Sequence, residues 1–334
     1  MRFMYAAAVL AAVCVAPPPS LAADTTRPTA ATPSRIGLSE FRALLATDHA
    51  SLLDLKLAVD SLVDPSIDAK AVRSQIDAMV ETIRADLPEG ASVMQRIDAI
   101  RTYLHEPSWW SGRKAFAYDL SDPYGQSARA RLLSVYLDTR LGNCVSMPIL
   151  LAILAERLGV EATLATAPLH MFTVVTDENG RRYNLEATSG GGVTRASHYR
   201  KLLPITDRAI RSGVYLTPLS RKQRRAAVAM TVVEHWMAKG RHAEAIRAAD
   251  LLLRDYPTFV YAWVKRGTAA YHLMRREFMV PYPDPKTIPH RLRPRLLALS
   301  RINQASFSRA DALGWKPPRD VGSGTAGRGT GNGN

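Results

Sequence analysis

The most constraining feature of the chain is a run of seven apolar residues, 149–155, that directly follows the segment Gly142–Pro148. Because the run is apolar on every face, it predicts a helix that is buried on all sides. Cys144 lies where the preceding loop passes into that helix. The sequence therefore predicts a cysteine at the N-terminal end of a core helix over about residues 144–158.

Pro148 leaves two alternatives for the start of this helix. Proline has no backbone N–H and is tolerated only in the first turn of a helix. Either the helix starts nearer Ser146, or it starts at Asn143 and is locally bent. In both cases the thiol stays at the N-terminal end, where unpaired N–H groups stabilise a thiolate.

Residues 1–22 are typical of a secretory signal peptide, so we expect an exported protein, periplasmic or secreted, with a flexible leader over 23–38. Three prolines end the apolar stretch before it reaches the roughly 20 residues of a membrane span. Cleavage would remove Cys14 and leave Cys144 as the only thiol. A lone cysteine is either an inert buried residue, paired with another chain, or kept for its reactivity.

Periodicity divides the rest of the chain into helices and then strands. Apolar residues recur at helical spacing over 39–63, 68–85 and 92–104, and a shorter helix is predicted near 129–139. Strands are predicted over 161–167, 171–176 and 182–188. Helices followed by a β-meander indicate an α+β fold with a helical N-terminal subdomain.

Aromatic residues crowd the stretch before the cysteine, and two interpretations stay open. The residues are Trp109, Trp110, Phe116, Tyr118 and Tyr124. They either form the wall of a groove or cap the core.

The turn at residues 177–180 decides which side chains of the meander share a face. Asp177 at its start and Gly180 at its fourth place favour a three-residue loop with a bulge. That loop pairs residue 177 with 181 and 172 with 186. It therefore predicts that His170 and Glu186 are diagonal neighbours on one face.

A thiol, an imidazole and a carboxylate are together the components of a cysteine nucleophile site. The predicted site residues are therefore Cys144, His170 and Glu186. The chain has no H-E-x-x-H motif and no cysteine pair, so no metal site and no cofactor are predicted.

Three sequence blocks resemble the bacterial branch of the transglutaminase-like superfamily, which has a papain-like core. The resemblance covers about residues 40–205 and is carried by Gly-Asn-Cys-Val-Ser-Met-Pro, Ala-Pro-Leu-His-Met-Phe and Tyr-Asn-Leu-Glu-Ala-Thr-Ser-Gly-Gly. It implies a nucleophile at Cys144, a general base at His170 and an orienting acid at Glu186. Family members more often have aspartate at the third position, and Asn184 is the alternative there.

The resemblance implies chemistry on amide bonds through a thioester, resolved by water or by an amine. The substrate would be a protein or peptide, including peptidoglycan peptides, and the sequence does not choose between hydrolysis and transfer. The Cys144 backbone N–H would be one oxyanion donor, and the second is not identified. The alternative is a non-catalytic domain that keeps the fold for binding.

Residues 219–315, which follow the core domain of 39–218, resemble a tetratricopeptide segment. The resemblance rests on Trp236, Gly240, Ala245, Pro257, Trp263 and Gly267, with helices over about 224–239, 243–255 and 260–273 and a proline-rich connector over 281–295. We expect these helices to pack on the core and residues 316–334 to form a disordered tail.

The positive charge of the chain is concentrated in its last third. Residues 221–334 have 21 Lys and Arg against 8 Asp and Glu. Such a region either attracts an anionic partner or is a solvated helix surface. For an exported protein we expect an anionic envelope polymer or a protein as the partner, and no nucleic acid.

Overall fold

The computed structural model describes residues 37–107, 114–122 and 127–317. The predicted signal peptide and most of the leader and tail lie outside these ranges. Four helices come first: α1 Leu38–Ala46, α2 Leu52–Val63, α3 Ala69–Ala85 and α4 Val93–His105. The expectation of one helix over 39–63 is wrong. Ser51 starts a new helix because its side chain accepts a hydrogen bond from the backbone N–H of Asp54.

The elements around the cysteine come next along the chain. They are β1 Ala117–Tyr118, a 3₁₀ turn Arg129–Arg131, α5 Leu133–Thr139, β2 Leu141–Gly142 and α6 Ser146–Arg157. Every residue from Ile149 to Ala155 is at most 1% exposed. The fully apolar run is therefore the buried core helix that its composition predicts.

A four-stranded antiparallel sheet with the order β3-β4-β5-β6 covers α6. Its strands are β3 Glu161–Ala167, β4 His170–Thr176, β5 Arg182–Glu186 and β6 Gly192–Thr194. One face packs in the main core through Leu164, Val175 and Leu185. The opposite face packs on α7 Ala196–Leu202, and α8 Asp207–Arg211 follows. The α+β fold with a meander on the cysteine helix is confirmed.

Four further helices complete residues 36–315, which form one compact unit. They are α9 Arg221–Ala238, α10 His242–Asp255, α11 Val260–Met274 and α12 Arg293–Ala312. α9 packs on α2, and α12 packs along α11. The start of α12 lies inside the segment predicted as a connector, because Pro294 is tolerated in a first turn. The tetratricopeptide likeness of this region stays a prediction.

A buried ion pair fixes the chain that leads to the cysteine. Lys56 and Asp60 on α2 are fully buried and bonded to each other. Lys56 also donates to the backbone oxygen of Arg131 at 2.8 Å, and Asp60 accepts from the backbone N–H of Leu133 at 2.8 Å. Because each charge has partners, the pair ties the N-terminal end of α5 to α2.

Within the described residues, no helix has both the length and the apolar character that a membrane crossing requires.

Candidate active site

Cys144 lies in a tight loop two residues before α6 begins. The helix starts at Ser146, which is the first of the two alternatives left open by Pro148. The fully buried Asn143 caps the helix: its Oδ1 accepts from the backbone N–H groups of Val145 at 2.9 Å and Ser146 at 3.1 Å. Pro148 is the third helical residue, where a missing N–H breaks no helical hydrogen bond. The loop thus leaves the thiol partly exposed at the helix end.

The hairpin has the register predicted from its turn. Thr173 pairs with Leu185 and Thr176 with Arg182. The backbone N–H of Asp177 bonds to the carbonyl oxygen of Arg181 at 2.9 Å, and Gly180 has a φ of 74°. The left-handed glycine closes the three-residue loop, so the predicted register is confirmed.

This register brings His170 and Glu186 into direct contact. The distance from His170 Nε2 to Glu186 Oε2 is 2.7 Å. Asn184 pairs with Val174, four residues along β4 from His170, which corresponds to about 13 Å of strand. The carboxylate of Glu186, and not the amide of Asn184, therefore contacts the imidazole.

The thiol of Cys144 lies against the start of β4. Its Sγ is 3.6 Å from the carbonyl oxygen of Leu169, the residue before His170. The hydroxyl of Thr173 donates to the carbonyl oxygen of Pro148 at 2.8 Å and so joins β4 to the first turn of α6. This contact between strand and helix holds the cysteine loop beside the histidine.

The protonated form of His170 is favoured strongly. Burial alone would lower the pKa of His170, but hydrogen bonds to Cys144 and Glu186 and the charges of both groups raise it to about 9. The thiol and the carboxylate therefore both favour a charged imidazole at this position. This is the arrangement that activates a cysteine nucleophile.

Glu186 is held as a carboxylate by three residues. It is 7% exposed. Besides His170, the hydroxyl of Tyr199 donates to Oε2 at 2.8 Å, and Thr188 donates to Oε1 from its backbone N–H at 3.1 Å and from its hydroxyl at 2.6 Å. Burial would raise the pKa of Glu186, but the hydrogen bond and charge of His170 and the two hydroxyls lower it to about 2.

Tyr199 and Thr188 are site residues that sequence reasoning missed. Tyr199 is 3% exposed, and its ring stacks on Phe172 with the centroids 4.5 Å apart. Tyr199 comes from α7, thirteen residues after Glu186, and belongs to no motif. Only the packing of α7 on the sheet reveals it. Thr188, two residues after Glu186, lies at the spacing of a local side-chain hydrogen bond, which was a usable signal.

Two residues of the aromatic stretch, Phe116 and Tyr118, lie in the described part of the chain. Phe116 is 5% exposed and packs against Tyr136, so it caps the core. Tyr118 is half-buried, and burial together with the charges of Cys144 and nearby acidic groups raises its pKa to about 12. Tyr118 pairs with Gly142, two residues before the cysteine. Trp109, Trp110 and Tyr124 lie outside the described residues.

No described residue accepts a hydrogen bond from the Cys144 backbone N–H. Within 37–107, 114–122 and 127–317, no group of three or more His, Cys, Asp or Glu side chains is arranged to hold a metal ion.

Comparison with known families agrees with the geometry. Residues 70–225 match the family model described as the transglutaminase-like superfamily. This range contains Cys144, His170 and Glu186 and ends near the start of α9. Searches of curated proteins and of solved structures found no match. Residues 70–225 of this chain thus form a domain of the transglutaminase-like superfamily.

Proposed function

We propose that this protein is an exported cysteine enzyme that acts on amide bonds through a thioester intermediate. The observation that carries the proposal is the 2.7 Å contact of His170 with Glu186 directly beside the Cys144 thiol, where the pKa of the imidazole is raised to about 9. An imidazole that stays protonated at neutral pH favours a thiolate beside it. The pair would then be a nucleophile and a general acid ready to react.

In the first half-reaction the Cys144 sulfur attacks the carbonyl carbon of an amide. A C–S bond forms, and the negative charge moves to the carbonyl oxygen, to which the Cys144 backbone N–H donates. His170 then gives its proton to the amide nitrogen, the C–N bond breaks, and an amine leaves. The acyl group stays on the sulfur as a thioester.

In the second half-reaction a water molecule or an amine attacks the thioester. Neutral His170 takes the proton of the attacking group, the C–S bond breaks, and the thiolate and imidazolium are restored. Water gives a carboxylic acid, and an amine gives a new amide. Glu186 keeps the imidazole oriented and stabilises its charge throughout. We propose proteins or peptides, including peptidoglycan peptides, as the substrates.

The rate of alkylation by iodoacetamide as a function of pH tests the nucleophile. We expect Cys144 to react at pH 6 at least ten times faster than a model thiol, because the imidazolium of His170 lies beside its sulfur. His170→Ala should remove most of this advantage, and Cys144→Ser should remove the labelled site. A wild-type rate equal to that of the model thiol at pH 6 would contradict the proposal.

A second candidate is a domain that binds an anionic envelope polymer or protein. It is favoured by exposed cations in and around α12, among them Arg275, Arg276, Arg291 and Arg301. Binding of the full chain to an acidic polysaccharide should then weaken steeply with salt. Arg291→Glu with Arg301→Glu should weaken binding, whereas Cys144→Ser should not affect it. Unchanged binding by the double variant would exclude this surface.

Export is part of the proposal and rests on residues 1–22. N-terminal sequencing of the protein isolated from its native host should give a chain that begins at Ala23. A chain that begins at Met1 would contradict this part.

A further inference from the structure

Three exposed leucines lie on the three segments that meet at the nucleophile. Leu120, Leu141 and Leu169 are 83%, 45% and 58% exposed. They are among only eight large apolar side chains that are exposed in the described part of the chain. We call these three residues the leucine rim. Side chains this exposed contribute little to the core, and all three belong to segments that are bonded to the cysteine loop or to the residue before it.

Leu169 directly precedes His170, the first residue of β4. Its carbonyl oxygen lies 3.6 Å from Cys144 Sγ. It is the second residue of the two-residue loop between β3 and β4, and its φ of 54° lies in the left-handed region. Glycine would adopt this conformation without strain, whereas leucine costs roughly 1 kcal/mol. The fold thus keeps an exposed apolar residue, in a strained conformation, at the position whose carbonyl oxygen contacts the thiol.

Leu141 and Leu120 approach the same loop from the β1–β2 side. Tyr118 pairs with Gly142, and the backbone N–H of Asp119 donates to the carbonyl oxygen of Gly142 at 2.8 Å. A Cβ at Gly142 would point inward at Tyr136, so its strand neighbour Leu141 points outward. Leu120 follows Asp119 directly. The cysteine therefore has Leu169 on its β4 side and the other two leucines on its β2 side.

We propose that the leucine rim binds an aliphatic side chain next to the scissile amide. The inference rests on the proposed function and narrows its substrate class to peptide amides with an aliphatic residue beside the attacked carbonyl. The bound group can be identified because the rim adjoins the nucleophile. Any group bonded to the attacked carbonyl must lie within a few ångström of Sγ. The removal of apolar surface from water, on the rim and on the bound side chain, supplies the preference for an aliphatic residue. Loss of one such contact should lower selectivity roughly tenfold.

Peptidyl chloromethyl ketones that carry leucine or aspartate beside the reactive carbon test the rim. Each inactivation rate is divided by the iodoacetamide rate of the same variant, so that thiol reactivity cancels. We expect the leucyl reagent to react at least ten times faster than the aspartyl reagent. Leu169→Asn should reduce this ratio by roughly tenfold, since asparagine tolerates the left-handed backbone. Leu141→Asn should act in the same direction.

Leu297→Asn is the matched control, because Leu297 is 55% exposed on α12. It should leave the ratio unchanged. A leucyl preference absent from the wild type, or equal losses in Leu297→Asn and Leu169→Asn, would overturn the proposal while a fast iodoacetamide rate still supports the nucleophile.

A binding measurement on a variant without the thiol tests the leucine rim independently of the proposed function. In Cys144→Ala, N-acetyl-leucinamide should shift the backbone amide resonances of Leu141 and Leu169 more than N-acetyl-aspartamide does. Equal effects of the two amides would overturn the rim proposal, whether or not the thiol proves to be activated.

Discussion

His170 Nε2 and Glu186 Oε2 lie 2.7 Å apart across the β4–β5 pair, as diagonal neighbours on one face of the sheet. Their contact depends on the loop that joins the strands. Because Glu178, Asn179 and Gly180 form a three-residue connection, residue 177 faces 181 and residue 172 faces 186. A loop one residue longer or shorter would move Glu186 to the opposite face of the sheet.

The stability of the protein should depend on pH through His170. Its pKa is raised from 6.5 to about 9, so the stabilisation is complete below pH 6.5 and is lost as pH rises through 9. Glu186, with its pKa lowered from 4.5 to about 2, contributes above pH 4.5 and loses its contribution as pH falls through 2. Both contributions are therefore complete between pH 4.5 and 6.5.

We expect the free energy of unfolding to fall by on the order of 2 kcal/mol between pH 6.5 and 9.5. Urea unfolding at a series of pH values measures it. Glu186→Gln should flatten this decline, because the imidazolium loses its carboxylate partner. Parallel wild-type and variant profiles would show that the pair does not set the pKa of His170.

Tyr199→Phe should destabilise the charged form of Glu186 without disturbing the packing of the ring. The variant keeps the stacking on Phe172 but loses the hydroxyl that donates to Glu186 Oε2. A hydrogen bond to a charged group contributes about 1.5–3 kcal/mol, so the free energy of unfolding at pH 6 should fall by that order. The pKa of Glu186 should rise, and acid unfolding should begin at a higher pH.

The control for this variant is Tyr183→Phe, which removes a hydrogen bond of 3.1 Å to Asp177 in the hairpin. It should leave the iodoacetamide rate of Cys144 unchanged. If Tyr199→Phe leaves both the iodoacetamide rate of Cys144 and the pH of acid unfolding unchanged, Tyr199 contributes only packing.

Glu186→Asp should impair the site although aspartate is the commoner residue in the family. The shorter side chain cannot keep the His170 contact at 2.7 Å and also the bonds to Thr188 and Tyr199. A displacement of about 1 Å at a catalytic group costs on the order of 100-fold in rate. We expect the alkylation rate at pH 6 to fall at least tenfold, and a rate equal to that of the wild type would show that the site tolerates either length.

Gly142→Ala should displace the cysteine loop. A Cβ there would lie 2.5 Å from a ring carbon of Tyr136 and 2.6 Å from the side chain of Met147. Such overpacking costs about 1–3 kcal/mol of unfolding free energy. Alkylation of Cys144 should slow because the loop shifts. Gly192→Ala is the control, since its Cβ meets nothing closer than 3.9 Å, and equal effects of the two variants would contradict the steric explanation.

Much of the fold could be predicted from the sequence because local chemistry decides it. The apolar run 149–155 specifies a buried helix, and Asp177 and Gly180 specify the hairpin register. The helix bounds of α9, α10 and α11 follow from periodicity. The break between α1 and α2 escaped prediction because the apolar pattern continues through it, and only the cap at Ser51 marks the boundary. The start of α12 escaped prediction for another reason, because Pro294 in its first turn belongs to a proline-rich segment that indicated a connector.

The sequence by itself determined that His170 and Glu186 face the same way, since a turn of four residues fixes the register of a hairpin. Only the tertiary structure decided what surrounds this pair. The approach of Cys144 to Leu169 and His170 requires α6 to pack under β4, and the bond from Tyr199 to Glu186 requires α7 to cover the opposite face. These contacts arise from the burial of apolar surface between distant segments, which leaves no signal in the spacing of the residues concerned.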